Sequence, residues 1–362
     1  YLTIGPFFAI PRCATTAFTV GIEQAVPQAA EQLQLWLLVF SAVFFAAARL
    51  FSLFPGKILT WVGKILNPFF LLFLGILIVV ALVKPSAAIS AVAPEGAYAS
   101  QALSTGFLEG YNTMDALAGL AFGIIVVQVI RELGVTDADA VASSTVKAGV
   151  FSSLLMALIY LAVTVVGAQS RGLFETSENG GIALAQIARH YLGSAGLVIL
   201  AATVTLACLK TSVGLITSCA ETFCGMFPKG PGYRAWSVLF TLISFALSNF
   251  GLSTIISYSV PVLMFLYPLA IALVLLALFG RFYRHDRAVY ISVIVCTLLA
   301  ALYDLICALP EGLYDALHAD AVQAFGLRVL PFAGAGLGWI CPLALGFVIG
   351  LAVHLMQKFR TK

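Results

Sequence analysis

Long apolar runs separated by short polar turns fill this chain almost from end to end. A hydrocarbon core about 30 Å thick is crossed by about 20 mostly apolar residues in a helix. Runs of that order recur at residues 1–22, 33–51, 65–83, 111–130, 148–168, 195–224, 235–250, 252–279, 288–309 and 332–356. The pattern predicts ten spanning helices, an all-α polytopic membrane protein in which residues 1–362 form a single transmembrane domain. Two connecting stretches carry a helical period of their own. PGKILTWVGKIL, residues 55–66, alternates Ile58, Trp61, Val62 and Ile65 with Lys57 and Lys64, as a helix lying in the interface does. GIALAQIARHYL, residues 181–192, predicts a loop helix that covers an outer vestibule.

Composition excludes the soluble alternative. Apolar residues make up 61% of the 362, charged residues 10%, and mean hydropathy is +1.04, whereas soluble domains carry roughly a quarter charged residues. The net charge of +3 matters less than its placement. Alternate loops hold Arg49, Lys57, Lys64, Arg131, Lys147, Lys229, Arg234, Arg281, Arg284, Arg287, Lys358, Arg360 and Lys362. The other loops hold only Lys84, Arg171, Arg189 and Arg328, and are rich in acids such as Glu95, Glu175, Glu311 and Asp315. The positive-inside rule makes the first set cytoplasmic, and with it both ends of the chain. Seven cysteines and four histidines show no metal-ligand spacing, so neither a metal site nor a cofactor is expected. Nor does the charge pattern suggest a nucleic acid; the lipid bilayer is the expected partner. The chain opens on Tyr1, inside an apolar run and without a basic leader, which reads as a fragment rather than a signal peptide.

Three spans carry chemistry. The fourth begins EGYNTMDALAGLAFG, placing Asn112, Thr113 and Asp115 between Gly110 and Gly119 in a stretch that belongs in hydrocarbon. An Asp at a helix centre costs about 2.5–3.5 kcal/mol and faces the bundle interior or water. An interrupted helix at that depth survives only where it lines a cavity. The simpler reading is an outer helix cap with glycines used for close packing. The sixth span contains Lys210, Thr211 and Ser212 near its middle. Hydroxyl oxygens suit a hard cation, although Ser and Thr commonly bond their own helix instead. The first span contains Pro6, Pro11 and Arg12, where Arg12 is either a buried structural partner or a gate. Pro261 and Pro268 predict a kink in the eighth span.

Together LTIGPFFAIPR, GYNTMDALAGLAFG, LACLKTSVGLIT and SVPVLMFLYPLAIALV resemble the bacterial branched-chain amino acid:cation symporters of the BrnQ type, in the same order and over essentially the whole chain. The resemblance implies a leucine-transporter-like fold of two inverted five-helix repeats plus two helices. On that template the ten spans are helices three to twelve of an expected twelve, N-terminally truncated. It implies that Asn112, Thr113, Met114, Asp115, Ala118 and Gly119 of a broken helix contact the substrate together with Phe7, and that Thr211 and Ser212 face Na⁺. Lys210 beside them leaves the coupling ion open between Na⁺, which the resemblance favours, and H⁺, which the local chemistry favours. The broken first helix is absent, so the transport reading applies to the full-length parent.

The expected function is secondary uptake of leucine, isoleucine and valine into the bacterial cytoplasm across the inner membrane, coupled to inward Na⁺ or H⁺ by alternating access. Another small neutral amino acid or solute on the same fold is the alternative. A channel would show repeated polar rings along a pore. An enzyme would need a nucleophile, base and oxyanion partner; the chain shows neither set. Oligomeric state is not readable from the sequence.

Overall fold

The computed structural model describes residues 1–26, 30–53 and 58–360, with the side chains of 30, 58–67 and 358–360 excepted. It is helical, and no strand occurs among the described residues. In chain order the first helices are α1 (Ala9–Val20), α2 (Ala30–Ser52), α3 (Ile58–Val83), α4 (Tyr98–Glu109), α5 (Asp115–Glu132) and α6 (Ala138–Ser170). There follow α7 (Gly180–Met226), α8 (Tyr233–Ser248), α9 (Leu252–Phe279), α10 (Arg287–Cys307), α11 (Glu311–Ala316), α12 (Asp320–Val329) and α13 (Ile340–Arg360).

Among the described residues seven stretches are long and apolar enough to cross a bilayer: Glu31–Ser52, Tyr98–Glu132, Ala138–Ser170, Gly180–Met226, Leu252–Tyr283, Arg287–Cys307 and Ile340–Gln357. The chain is therefore an all-α, multi-pass membrane protein. Of the other three predicted spans, two fall on the shorter apolar helices Pro68–Val83 and Tyr233–Ser248. The span at 1–22 divides into a π-helical turn, Thr3–Phe7, and the 12-residue α1. Its cause is local: Gly5 leaves helical geometry (φ −110°, ψ −119°), and Pro6 beside it brings no N–H to a helical ladder. The helix expected at 55–66 lies outside the described residues up to 57, and for its side chains to 66; from Ile58 the backbone is already α3. The helix of α9 continues through Pro261 and Pro268.

Two compact units emerge, each continuous in space but not in sequence. The first comprises Tyr1–Ala93 and Phe122–Ile255. Here α7 is the central element, against which α1, α2, α3 and α8 pack. Ile10, Ala14 and Ala17 of α1 meet Phe44, Phe45 and Ala48 of α2 and Val213 and Ile216 of α7 in one buried cluster. Small residues let the backbones approach, as membrane helices require: a Cβ at Gly5 would stand 2.6 Å from the Cys219 sulfur. Ser244 of α8 donates to the Pro6 carbonyl at 3.2 Å, so a neighbouring helix serves a carbonyl of the irregular turn. Within α7, Gly193 adopts φ +66°, a left-handed conformation that glycine takes without penalty. It separates the predicted loop helix at 181–192 from the long apolar part. Asn179 caps that short helix, its Oδ1 accepting from the N–H groups of Gly181 and Ile182 at 3.1 and 3.2 Å.

The second unit comprises Pro94–Ala121 and Ile256–Lys362. Its best-packed pair is α10 with α13. Gly346 and Gly350, four apart on α13, lie flat on α10: an added Cβ at each would stand 2.7 Å from the Cα of Val293 and Val289 respectively. That is the small-residue spacing that draws two membrane helices together. Ala272 and Leu276 of α9, with Trp339 and Leu343, complete this core.

Candidate functional site

The second unit contains the interruption. The α-helix α4 ends at Glu109, the chain tightens to a 3₁₀ turn over Gly110–Thr113, and Met114 swings to φ 60°, ψ 11° before α5 starts at Asp115. The side chains explain the change of winding. Thr113 Oγ1 donates to the Gly110 carbonyl at 2.8 Å and itself accepts from the Asp115 N–H at 3.4 Å. Asn112 Nδ2 reaches the Glu109 carboxylate at 2.9 Å. These short-range bonds compete with the helical ladder. Neither Gly110 nor Gly119 has a positive φ, and among the described residues a Cβ at either meets nothing within 4 Å. The break therefore rests on Met114 and the Asn–Thr pair, not on the glycines that bracket it.

Aromatic packing holds the turn. The Tyr111 ring stacks on Tyr267 of α9 with centroids 4.2 Å apart and planes 11° from parallel, while Phe107 meets it edge-on at 5.5 Å. Tyr111, Tyr267 and Met114 are all buried. Asn112, Asp115 and Ala118 are half-buried, and Thr113 and Gly119 are exposed. A helix start leaves its first N–H groups without intrahelical acceptors and carries about half a positive charge. Asp115, the first residue of α5, adds a carboxylate to the same first turn. Such a pairing suits a zwitterion. Sequence reasoning missed Tyr111 and Tyr267, since an aromatic residue in an apolar run looks like any other core residue.

The remaining candidates belong to the first unit. Phe7 ends the π-helical turn and is exposed, and its N–H bonds the Leu2 carbonyl at 3.1 Å. Lys210, Thr211 and Ser212 are consecutive on α7, where each residue turns about 100° from the last. Thr211 is exposed and donates to the Ala207 carbonyl of its own helix at 3.0 Å. Ser212 is fully buried beside Cys13 of α1, and its Oγ makes no well-formed hydrogen bond. Lys210 is half-buried. The helix thus turns the two hydroxyls to different sides. Arg12 is half-buried in α1, near Cys13.

The family described as branched-chain amino acid transport protein matches residues 1–357. The chain belongs to that family. It is 50% identical over 360 residues to the branched-chain amino acid permease BrnQ of Lactobacillus delbrueckii subsp. lactis, covering 99% of this chain and 80% of that protein. Identity to BrnQ of Bacillus subtilis is 37% over 363 residues, covering 100% and 79%. With BrnQ of Escherichia coli it is 37% over 351 residues, covering 97% and 76%. No solved structure matches.

Proposed function

We propose that the protein is a secondary carrier that brings leucine, isoleucine and valine into a bacterial cell by alternating access, driven by inward Na⁺ or H⁺. Family membership over residues 1–357 carries this reading. The break at Gly110–Met114 gives it a chemical means: the α5 N-terminus receives the substrate carboxylate, and Asp115 its ammonium. Asn112, Thr113, Met114, Ala118 and Gly119 shape the surroundings. An apolar side chain needs no polar partner, whereas a charged one would be desolvated without compensation. One charge moving down about 100 mV supplies about 2.3 kcal/mol, close to fifty-fold accumulation. Ser212 offers a buried oxygen for the ion, with Thr211 and Lys210 next to it. The Lys/Arg-rich loops support a cytoplasmic C-terminus in the inner membrane. The chemistry is translocation, not covalent catalysis.

The test is counterflow in proteoliposomes. Vesicles preloaded with unlabelled leucine should transiently accumulate labelled leucine above the outside level, in competition with isoleucine and valine within one to two orders of magnitude. Labelled leucine that merely equilibrates, whatever the preload, would indicate a channel. Efficient competition by lysine or glutamate would refute the apolar pocket. Imposing a Na⁺ gradient at fixed pH, or a pH gradient without sodium, identifies the ion.

A further inference from the structure

Asp304 is the one acidic residue of α10, set in its last turn within a run of Leu, Ala and Tyr. It is only 7% exposed, and its Oδ2 has no hydrogen-bond partner. Three more buried polar atoms of the same unit make no well-formed hydrogen bond: the hydroxyls of Tyr111 and Tyr267 and the indole N–H of Trp339. They are not scattered. Tyr111 lies within electrostatic reach of Asp304, Trp339 and Tyr267 together, and is stacked on the last. A cavity of about 190 Å³, lined by Asp304, Tyr303, Cys307, Gln323 and the turn at 333–336, reaches the carboxyl group. It has room for several waters at about 30 Å³ each. Gly338 runs alongside, where an added Cβ would come within 3.6 Å of Oδ1.

An ionised, unpaired carboxylate in such a place is costly, and the negative end of a helix adds to the cost. The groups facing Asp304 give no relief. Tyr303 and Cys307 come from α10 itself, and Tyr111 from the 3₁₀ turn; Tyr267 of α9 stands behind Tyr111 and Tyr314 of α11 behind Tyr303. Arg328 and Asp320 of α12 are exposed, and His354 of α13 is engaged with Asp286 at the other end of α10. Among the described residues Asp304 has no ion-pair partner. An alkali cation fits poorly too, because Trp339 offers a donor and no lone pair. We propose that Asp304 is a proton-binding site, whose protonation state sets the position of Tyr111 and through it the broken stretch at Gly110–Met114. Ionised, the carboxylate accepts from the Tyr111 hydroxyl and draws it off Tyr267. Protonated, it leaves the Tyr111–Tyr267 stack undisturbed, which is the arrangement in this structure. Its effect on uptake rests on the carrier reading above; proton binding itself does not.

Infrared spectroscopy of the purified protein in lipid separates the two. At pH 7, where exposed carboxylates are ionised, a carboxylic-acid band that shifts in D₂O should be present, and absent in Asp304→Asn. If Asp304→Asn does not fold, Tyr111→Phe, which keeps the stack, should move the midpoint of that band with pH. No acid band assignable to Asp304, or an unmoved midpoint, overturns the proposal. So does loss of the band on adding Na⁺ at constant pH, which would make it a metal-cation site. Leucine uptake should vary with pH through that midpoint by up to about tenfold per unit, and lose the dependence in Asp304→Asn. A normal acid band with pH-insensitive uptake would leave the proton site standing and overturn its link to transport.

Discussion

Two polar stretches interrupt apolar sequence in this chain, and they fold in opposite ways. Along α7, Thr203, Thr211 and Thr222 each donate to the carbonyl four residues back, at 2.8, 3.0 and 2.7 Å, and the helix runs on undisturbed. At Gly110–Asp115 the Thr113 hydroxyl instead takes the carbonyl three residues back, Asn112 bonds a side chain, and the helix stops. Hydroxyl content is therefore a poor guide to a broken helix. Bonding three back is not enough by itself, since Thr203 also reaches the Leu200 carbonyl and Ser41 and Ser259 do the same inside unbroken α2 and α9. What sets the Gly110–Asp115 stretch apart is the left-handed Met114 that follows Thr113.

The sharpest way to break the contrast is at Met114. A β-branched residue is disfavoured at φ 60°, so Met114→Val should straighten or strain the turn at a cost of about 1–2 kcal/mol, a factor of about five to thirty in the broken conformer. Leucine uptake should fall accordingly, while Met114→Gly should keep the break and lose only buried surface. Equal uptake by the two variants would mean that the left-handed residue does not matter to transport. Next in size is Thr113→Val, which removes both bonds of the hydroxyl and should cost about 1 kcal/mol in thermal unfolding.

On the α7 side the expected sign reverses. Ser212→Ala deletes a buried hydroxyl that makes no well-formed hydrogen bond and should stabilise the protein by up to about 1 kcal/mol. If Ser212 serves the ion, that gain comes with lost Na⁺ stimulation; a gain with unchanged stimulation would remove it from the ion site. Thr211→Val, on the exposed face, should stay within about 0.5 kcal/mol of the parent. A larger loss there would make the two stretches more alike than their hydrogen bonds suggest.

Most of the fold was legible because about twenty apolar residues in a row leave the chain few choices in lipid. The loop helix at 181–192 was legible too, since its period ends at Gly193, where the backbone turns. The place of the break could be read from the Asn–Thr–Asp cluster. Its agent could not, because nothing about methionine marks a left-handed residue. Gly346 and Gly350 show the opposite case: their four-residue spacing is visible in the sequence, but only the structure reveals Val289 and Val293 as the backbone they press against. Asp304, one acid in an apolar run, was not singled out from the sequence. Its meaning depends on Tyr111 and Trp339, nearly two hundred residues before it and thirty-five after it, which no local pattern joins.

A control outside both stretches has the smallest expected effect. Asp286 caps α10 by accepting from the Ala288 N–H at 2.8 Å, and its other oxygen lies 2.5 Å from His354 Nδ1 of α13. The His354 hydrogen bond first, and the backbone bond after it, hold this carboxyl below its ordinary value. For a depressed acid the stabilisation is complete above the unfolded value, near pH 4, and is lost as pH falls through the lower folded one. Asp286→Asn keeps a capping oxygen but gives up the charge. The unfolding temperature of the parent should therefore exceed that of the variant slightly at neutral pH, with the gap closing below about pH 4. The same profile should appear in the Met114→Val and Ser212→Ala backgrounds, because the cap's hydrogen bonds to Ala288 and His354 involve neither stretch. A gap that widens on acidification would mean that Asp286 is stabilised by its protonated form, and that the contact with His354 has been read with the wrong sign.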